Sequence, residues 1–195
     1  MAGSELRVDD WGIDAIYSGS QKCLSAMPGL SPVSFSDRAI EKLTNRKTPV
    51  TSWFLDLNLV MGYWGKGAKR AYHHTAPVNT LYGLHESLVM LSEEGVENSW
   101  NRHQQNHILL RDGLNKLGIN YLVDEASRLP QLNSVLIPKN QDDLGVRSSL
   151  LKNYNIDIGA GLGPLEGKIW RIGLMGYTSR KDNIELLLSS LKDTL

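Results

Sequence analysis

Lys22 closes the stretch Tyr17-Ser18-Gly19-Ser20-Gln21-Lys22. A lysine amine can attack an aldehyde and form an imine if it spends part of the cycle neutral, which burial near a cation favours. Small residues before it let backbone and hydroxyls approach a phosphorylated ligand. The same pattern suits a solvated lysine after a Gly-Ser turn, so alone it decides nothing. Arg171 lies in Lys168-Ile169-Trp170-Arg171-Ile172-Gly173. Strand alternation puts Trp170, Ile172 and Leu174 on one face and Arg171 on the other, with Gly173 leaving room. A guanidinium aimed at a cleft is suited to bidentate carboxylate recognition, although an edge-strand arginine in water reads the same way.

The stretch Tyr72-His73-His74-Thr75-Ala76-Pro77 is more pointed. A Thr75 hydroxyl capping a helix, with the free N–H groups of the first turn, makes an anion site, and Tyr72 adds a phenol. Pro77 suits that first turn, where its missing N–H costs nothing. Adjacent histidines are expected to diverge, and there is no HExxH or Cys/His cluster, so no metal is expected. Gly159-Ala160-Gly161-Leu162-Gly163-Pro164 lacks the third glycine of a dinucleotide loop and precedes a strand; it reads as a glycine-rich hairpin close to a ligand. Nothing marks Cys23 as a nucleophile.

These residues need elements to hold them. Ile13, Ala15 and Tyr17 alternate as a strand, and Pro32 to Phe35 form another. Ser36-Asp37 caps a helix through Leu43. Residues 51 to 66 are rich in Trp, Phe, Leu and Tyr and run into a loop at Gly65-Lys66-Gly67-Ala68. Leu81, Leu84, Leu88 and Leu91 recur at helical spacing up to Gly95. A second long helix runs from Val96 to Leu117, with Val96, Trp100, His103, His107, Leu110, Leu114 and Leu117 on one packing face, and Gly118 stops it. Short strands follow at Ile119 to Val123, Ser134 to Ile137, Ile156 to Ile158 and Lys168 to Leu174, with a helix around Leu144 to Asn153. A last helix carries Ile184, Leu187, Leu188 and Leu191, with Ser179 as cap. The change of pattern places a boundary at the Val96 helix, giving residues 1–95 and 96–195.

Composition excludes several classes. Lys+Arg and Asp+Glu both number 21 in 195 residues, so the net charge is +0 and the electrostatic case for nucleic acid or an anionic membrane is absent. One cysteine cannot form an internal disulfide. No run approaches the about 18 apolar residues of a membrane span, and the opening residues lack a signal core. The tail Lys192-Asp193-Thr194-Leu195 is one residue from an ER-retention signal and reads as a frayed helix end.

Tyr17 to Lys22, Tyr72 to Thr75, Gly95-Val96-Glu97-Asn98-Ser99-Trp100, Arg128-Leu129-Pro130, Gly161 to Pro164 and Trp170 to Gly173 occur in an order that resembles the class V pyridoxal-phosphate-dependent aminotransferases of the alanine–glyoxylate (serine–pyruvate) branch. The resemblance implies an α/β chain of PLP-transferase fold type I: part of the large cofactor domain (1–95), then the small C-terminal α/β domain (96–195). It implies pyridoxal 5'-phosphate as cofactor and Lys22 as the Schiff-base lysine that shuttles a proton between Cα and C4′. It also implies Gln21 beside the cofactor, Tyr72 and Thr75 on the phosphate of the neighbouring subunit in a homodimer, and Arg171 on the substrate α-carboxylate. The implied reaction moves the amino group of alanine or serine to glyoxylate or pyruvate, as in glyoxylate detoxification, in an intracellular compartment such as the peroxisome or mitochondrion.

Family members run to roughly twice this length. The aspartate that pairs with the pyridine nitrogen is expected a few residues upstream of Met1, together with a phosphate loop and the group stacking on the ring, so the chain is expected to be a partial product. Met27 stands where near relatives tend to have proline. Open alternatives are a 3-hydroxykynurenine or phosphonate transaminase, an inactive fragment acting only through dimerisation, and a nucleotide-binding protein using the Gly159 to Gly163 loop.

Overall fold

A computed structural model describes residues 2–64 and 71–195; the expected Gly65 to Ala68 loop lies outside the described residues. The chain forms two compact units, one of Arg7–Ser20 with Ala26–Glu86, the other of Met1–Leu6, Gln21–Ser25 and Ser87–Leu195.

In the first unit, β1 (Ala15–Tyr17) pairs antiparallel with β2 (Val33–Phe35). Ser36 then caps α1 (Asp37–Thr44), its hydroxyl accepting from the Ala39 N–H at 3.2 Å. Asp14 accepts from Ser36 and Arg38, which ties the start of α1 back to the turn before β1. The aromatic stretch after residue 51 contains a helix that its periodicity did not announce, α2 (Leu57–Trp64). Apart from Asn58, its sequence Leu-Asn-Leu-Val-Met-Gly-Tyr-Trp carries no polar side chain to mark off an amphipathic stripe.

The helix α3 (Val78–Glu94) continues from one unit into the other. Its first backbone bond runs from the Leu81 N–H to the Pro77 carbonyl at 3.0 Å. Pro77 therefore occupies the cap position and Thr75 lies outside the helix, which corrects the expectation that Thr75 caps it. The leucine stripe is only partly covered: Leu81 and Leu88 are exposed, Leu84 and Leu91 are half-buried, and no residue of α3 is fully buried.

The second unit is built on α4 (Val96–Lys116). Its buried face holds Ser99, His103, Asn106, His107, Leu110 and Leu114, whereas Val96 is exposed. Gly118 adopts φ +74, and the Ile119 N–H bonds the Leu114 carbonyl at 3.0 Å, the geometry of a Schellman stop. Against α4 packs a sheet of order β3 (Leu132–Leu136), β5 (Ile169–Gly173), β4 (Gly159–Ala160), all antiparallel. The expected strand at Ile119 to Val123 is reduced to a bridge between Tyr121 and Val135. The one at Ile156 to Ile158 is displaced to Gly159–Ala160, because Asn155 in the left-handed region ends α5 (Asp143–Tyr154) and turns the chain. The last helix, α6 (Lys181–Thr194), is preceded by Arg180, not Ser179. Ser179 is buried, and its carbonyl accepts from Arg102 and Asn106.

Leu110, Leu114, Val135, Val146, Leu150, Trp170, Ile172, Ile184 and Leu191 form one core cluster. Trp170 is fully buried with its indole N–H donated to Asp143 Oδ1 at 3.0 Å. A buried indole needs such a partner, and this bond holds β5 against α5.

Candidate functional site

Arg171 stands on β5, the central strand of its sheet, not on an edge. Its neighbours across the ladders are Ser134 on β3 and Gly159 on β4. These small residues, more than Gly173, make the space for its side chain. A Cβ on residue 159 would come within 3.3 Å of the guanidinium. Arg171 Nε donates to the Ala160 carbonyl at 2.7 Å, and no carboxylate among the described residues pairs with it. A half-buried guanidinium pinned by a backbone carbonyl keeps its terminal nitrogens for an external anion.

Lys22 is exposed on a turn rather than buried; its carbonyl accepts from the Ser25 N–H at 2.8 Å. Gln21 beside it is also exposed. Ser20 does not offer a hydroxyl to a ligand: it is buried and donates to the Met27 carbonyl at 2.7 Å. Cys23 is half-buried, and burial pushes its thiol above the ordinary range. Lys22, Gln21 and Arg171 belong to one compact unit, and Tyr72 and Thr75 to the other.

The Tyr72 and Thr75 hydroxyls hydrogen-bond to each other and both residues are exposed. Between them the two histidines do not diverge. His73 is buried and stacks on Trp53 at a centroid distance of 4.0 Å. Its Nε2 lies 3.2 Å from the Trp53 carbonyl and its Nδ1 lies 2.7 Å from Nδ1 of His74. A carbonyl only accepts, so His73 Nε2 carries the proton. In the neutral pair its Nδ1 is then the acceptor, and His74 Nδ1 is the donor. Tyr63 sits edge-on to both Tyr72 and His74, at 6.2 and 5.7 Å. The segment alternates an inward anchor with outward hydroxyls.

Within the unit built on α4, buried polar groups bond to segments distant in the chain. His103 is fully buried, with Nδ1 2.6 Å from the Ser99 carbonyl and Nε2 accepting from the Gly176 N–H at 2.9 Å. Burial lowers its pKa, as it does for His107, whose Nδ1 donates to Asn133 Oδ1 at 2.6 Å. Tyr121 donates to the same oxygen at 3.0 Å, and burial pushes its phenol up to about 12. Expecting the histidine face of α4 to be packing is consistent with these bonds. Their partners on distant segments left no mark in the local pattern. A cavity of about 540 Å³ opens beside the Lys22 turn, with Cys23, Ser25, Arg102 and Tyr177 in its lining. Among the described residues no group of three His, Cys, Asp or Glu side chains could hold a metal ion, and no helix is long and apolar enough to cross a membrane.

The family model of class-V aminotransferases matches residues 1–187. The chain belongs to the class-V aminotransferases. It is 44% identical to an alanine–glyoxylate aminotransferase of Callithrix jacchus, over 100% of this chain and 48% of that protein. It is 35% identical to a (S)-ureidoglycine–glyoxylate transaminase of Bacillus subtilis, over 100% of this chain and 51% of that protein. The crystal structure of an alanine–glyoxylate aminotransferase from Nostoc sp. superposes with a TM-score of 0.94 at 46% identity, covering 98% of this chain and 51% of that one. The chain thus spans about half the length of the curated relatives it matches. Its α/β architecture is part of the fold-type-I arrangement of pyridoxal-phosphate-dependent aminotransferases.

Proposed function

We propose that this class-V chain carries Lys22 and Arg171 in a transaminase that moves the amino group of alanine or serine to glyoxylate or pyruvate. The observation that carries the reading is Arg171, half-buried, pinned through Nε and without a carboxylate partner among the described residues. Such a group suits the α-carboxylate common to both substrates.

The family implies pyridoxal phosphate, and the donor set fits it. Lys22 offers an exposed primary amine for a carbonyl carbon, and Tyr72 and Thr75 offer paired exposed hydroxyls for phosphate oxygens. When bound, the cofactor supplies the aldehyde and the electron-withdrawing ring that carry the amino group. Lys22 Nζ would take the proton from the substrate Cα and deliver it to C4′ of the cofactor, which needs the amine neutral when it takes the proton. Arg171 orients the substrate by its carboxylate so that this proton faces Lys22. Gln21 lies next to the amine in sequence and shares its turn.

Tyr72 and Thr75 act on the phosphate bound to a second copy of the chain, so the working form is a homodimer with shared sites. The uncovered apolar residues Val78, Leu81 and Tyr82 at the start of α3 support such an interface. The division into a large-domain part, residues 1–95, and a small domain, residues 96–195, goes with this reading. So do glyoxylate detoxification as its role and an intracellular site in the peroxisome or mitochondrion. The ureidoglycine–glyoxylate relative favours a second reading of the same chemistry, with a different amino donor.

The experiment incubates the purified chain with pyridoxal phosphate, reduces with borohydride and maps the modified peptide by mass spectrometry. Modification confined to Lys22 is expected. Label scattered over surface lysines, or none, overturns the assignment of Lys22.

A further inference from the structure

The Lys22 amine is exposed, yet the turn beneath it is held on several sides within one compact unit. Gly176 has φ +55, a left-handed conformation in which only glycine is at ease. A Cβ there would overlap the Ser25 hydroxyl and stand 2.6 Å from the Cys23 carbonyl oxygen. The turn thus rests directly on the Gly176 backbone. Next to it, the Tyr177 N–H donates to Ser25 Oγ at 2.8 Å. Ser25 is itself left-handed at φ +57, a strained state for a residue with a side chain, and this bond helps to offset the strain.

The loop that receives the turn is in turn fixed by α4. The Gly176 N–H enters Nε2 of His103, whose Nδ1 faces the Ser99 carbonyl. The carbonyl only accepts, so Nδ1 carries the proton, Nε2 is a lone pair, and the ring is neutral in one tautomer. Arg102 Nη1 donates to the carbonyls of Gly176 at 2.8 Å and Ser179 at 2.9 Å. On the other side of the turn, a Cβ on Gly3 would meet Cys23 Sγ at 2.7 Å. The Ala2 carbonyl just before it accepts from the Ser99 hydroxyl at 2.8 Å. Two glycines therefore form a slot for Cys23, and the stretch of α4 from Ser99 to His103 holds both walls. β5, with Arg171, runs into the same loop through Leu174 and Met175.

We infer that Gly176, His103 and Ser25 are positioning residues that seat the Lys22 turn in one frame with the Arg171 strand. This rests on Lys22 being the cofactor lysine. It goes beyond that reading by assigning the support of the amine to residues that touch neither cofactor nor substrate.

Cys23 is the chain's single cysteine, so its alkylation rate reports whether the turn is seated, with no cofactor present. On the full chain, Gly176→Ala and His103→Leu should each raise the rate by about tenfold or more, the mark of a turn that opens more often. His103→Gln, whose side-chain oxygen can still accept from the Gly176 N–H, should stay near the parent, as should Gly62→Ala, where a Cβ meets open space. Ser25→Ala, which removes one bond and adds no clash, should lie between and tests the idea even if Gly176→Ala unfolds. Folding is followed by circular dichroism. In parallel, borohydride trapping with pyridoxal phosphate should lose its selectivity for Lys22 in the opened variants. Unchanged Cys23 rates in folded His103→Leu and Ser25→Ala overturn the inference whatever the trapping shows. Raised Cys23 rates, with no label on Lys22 even in the parent chain, leave the seating of the turn supported and overturn the cofactor reading instead.

Discussion

Arg171 Nε donates to the Ala160 carbonyl at 2.7 Å across the β5–β4 ladder, on the same pairing that sets Gly159 opposite Arg171. The bond fixes the plane of the guanidinium and leaves the fork pointing away from it. Lysine cannot reproduce this arrangement, because its ammonium has no rigid fork. Arg171→Lys is expected to raise KM for α-carboxylate substrates by about 10- to 100-fold, in line with roughly 1.5–3 kcal/mol for a charge-assisted bond. Steady-state kinetics on the assembled enzyme measures it; an unchanged KM removes Arg171 from substrate binding.

The His73–His74 pair makes a prediction that needs no ligand. The Trp53 carbonyl forces the proton onto His73 Nε2, so in the neutral pair His74 carries its own on Nδ1. Nitrogen-15 spectra of the imidazoles above neutral pH should show these two different tautomers. His73→Ala removes the stack on Trp53 and both ring bonds, and is expected to cost about 1–3 kcal/mol. Two identical tautomers in the spectra would contradict the geometry of the pair.

Acid should loosen the unit built on α4 from pH 6.5 downward. Burial lowers the pKa of both His103 and His107 below the ordinary 6.5. Between the lowered values and 6.5 the unfolded chain binds protons that the folded chain does not, so stability rises with pH across that window. The contribution is complete above 6.5 and is lost as pH falls through the folded values. Urea midpoints should therefore drop below 6.5 in the parent chain and drop less in His103→Gln; equal drops would remove His103 from this effect.

Asp143 serves two partners, Arg147 at 2.8 Å and the buried Trp170 indole at 3.0 Å. Asp143→Ala strands that indole N–H and should cost about 1–3 kcal/mol by chemical denaturation. The Arg147 bond holds the Asp143 carboxyl below its ordinary value. Its stabilisation is thus present above the ordinary carboxylate range and fades as pH falls through the lowered pKa. A loss of only a few tenths would mean that water can serve the indole.

Much of the local architecture was legible in the residues. Ser36 before α1, Gly118 after α4 and the alternation around Trp170 follow from capping, left-handed backbone and strand period, which act within a few residues. The register of β5 against Gly159 and the central place of Arg171 were not legible, because pairing partners lie far apart in the chain. Nor was α2, whose apolar residues carry no stripe. Thr75 and Ser179 look like caps by composition, but the Thr75 hydroxyl bonds Tyr72 three residues before it, and the Ser179 carbonyl accepts from Arg102 and Asn106, more than 70 residues away.

By itself the sequence determined the family and most helix positions, and it singled out the amine, the hydroxyls and the guanidinium that are proposed to do chemistry. These depend on residue type and short spacing. Only the tertiary structure decided that His73 stacks on Trp53, that His103 receives the Gly176 N–H, and that Cys23 lies between Gly3 and Gly176. Such contacts form when segments tens of residues apart are brought to within a hydrogen bond, and no local propensity encodes that distance.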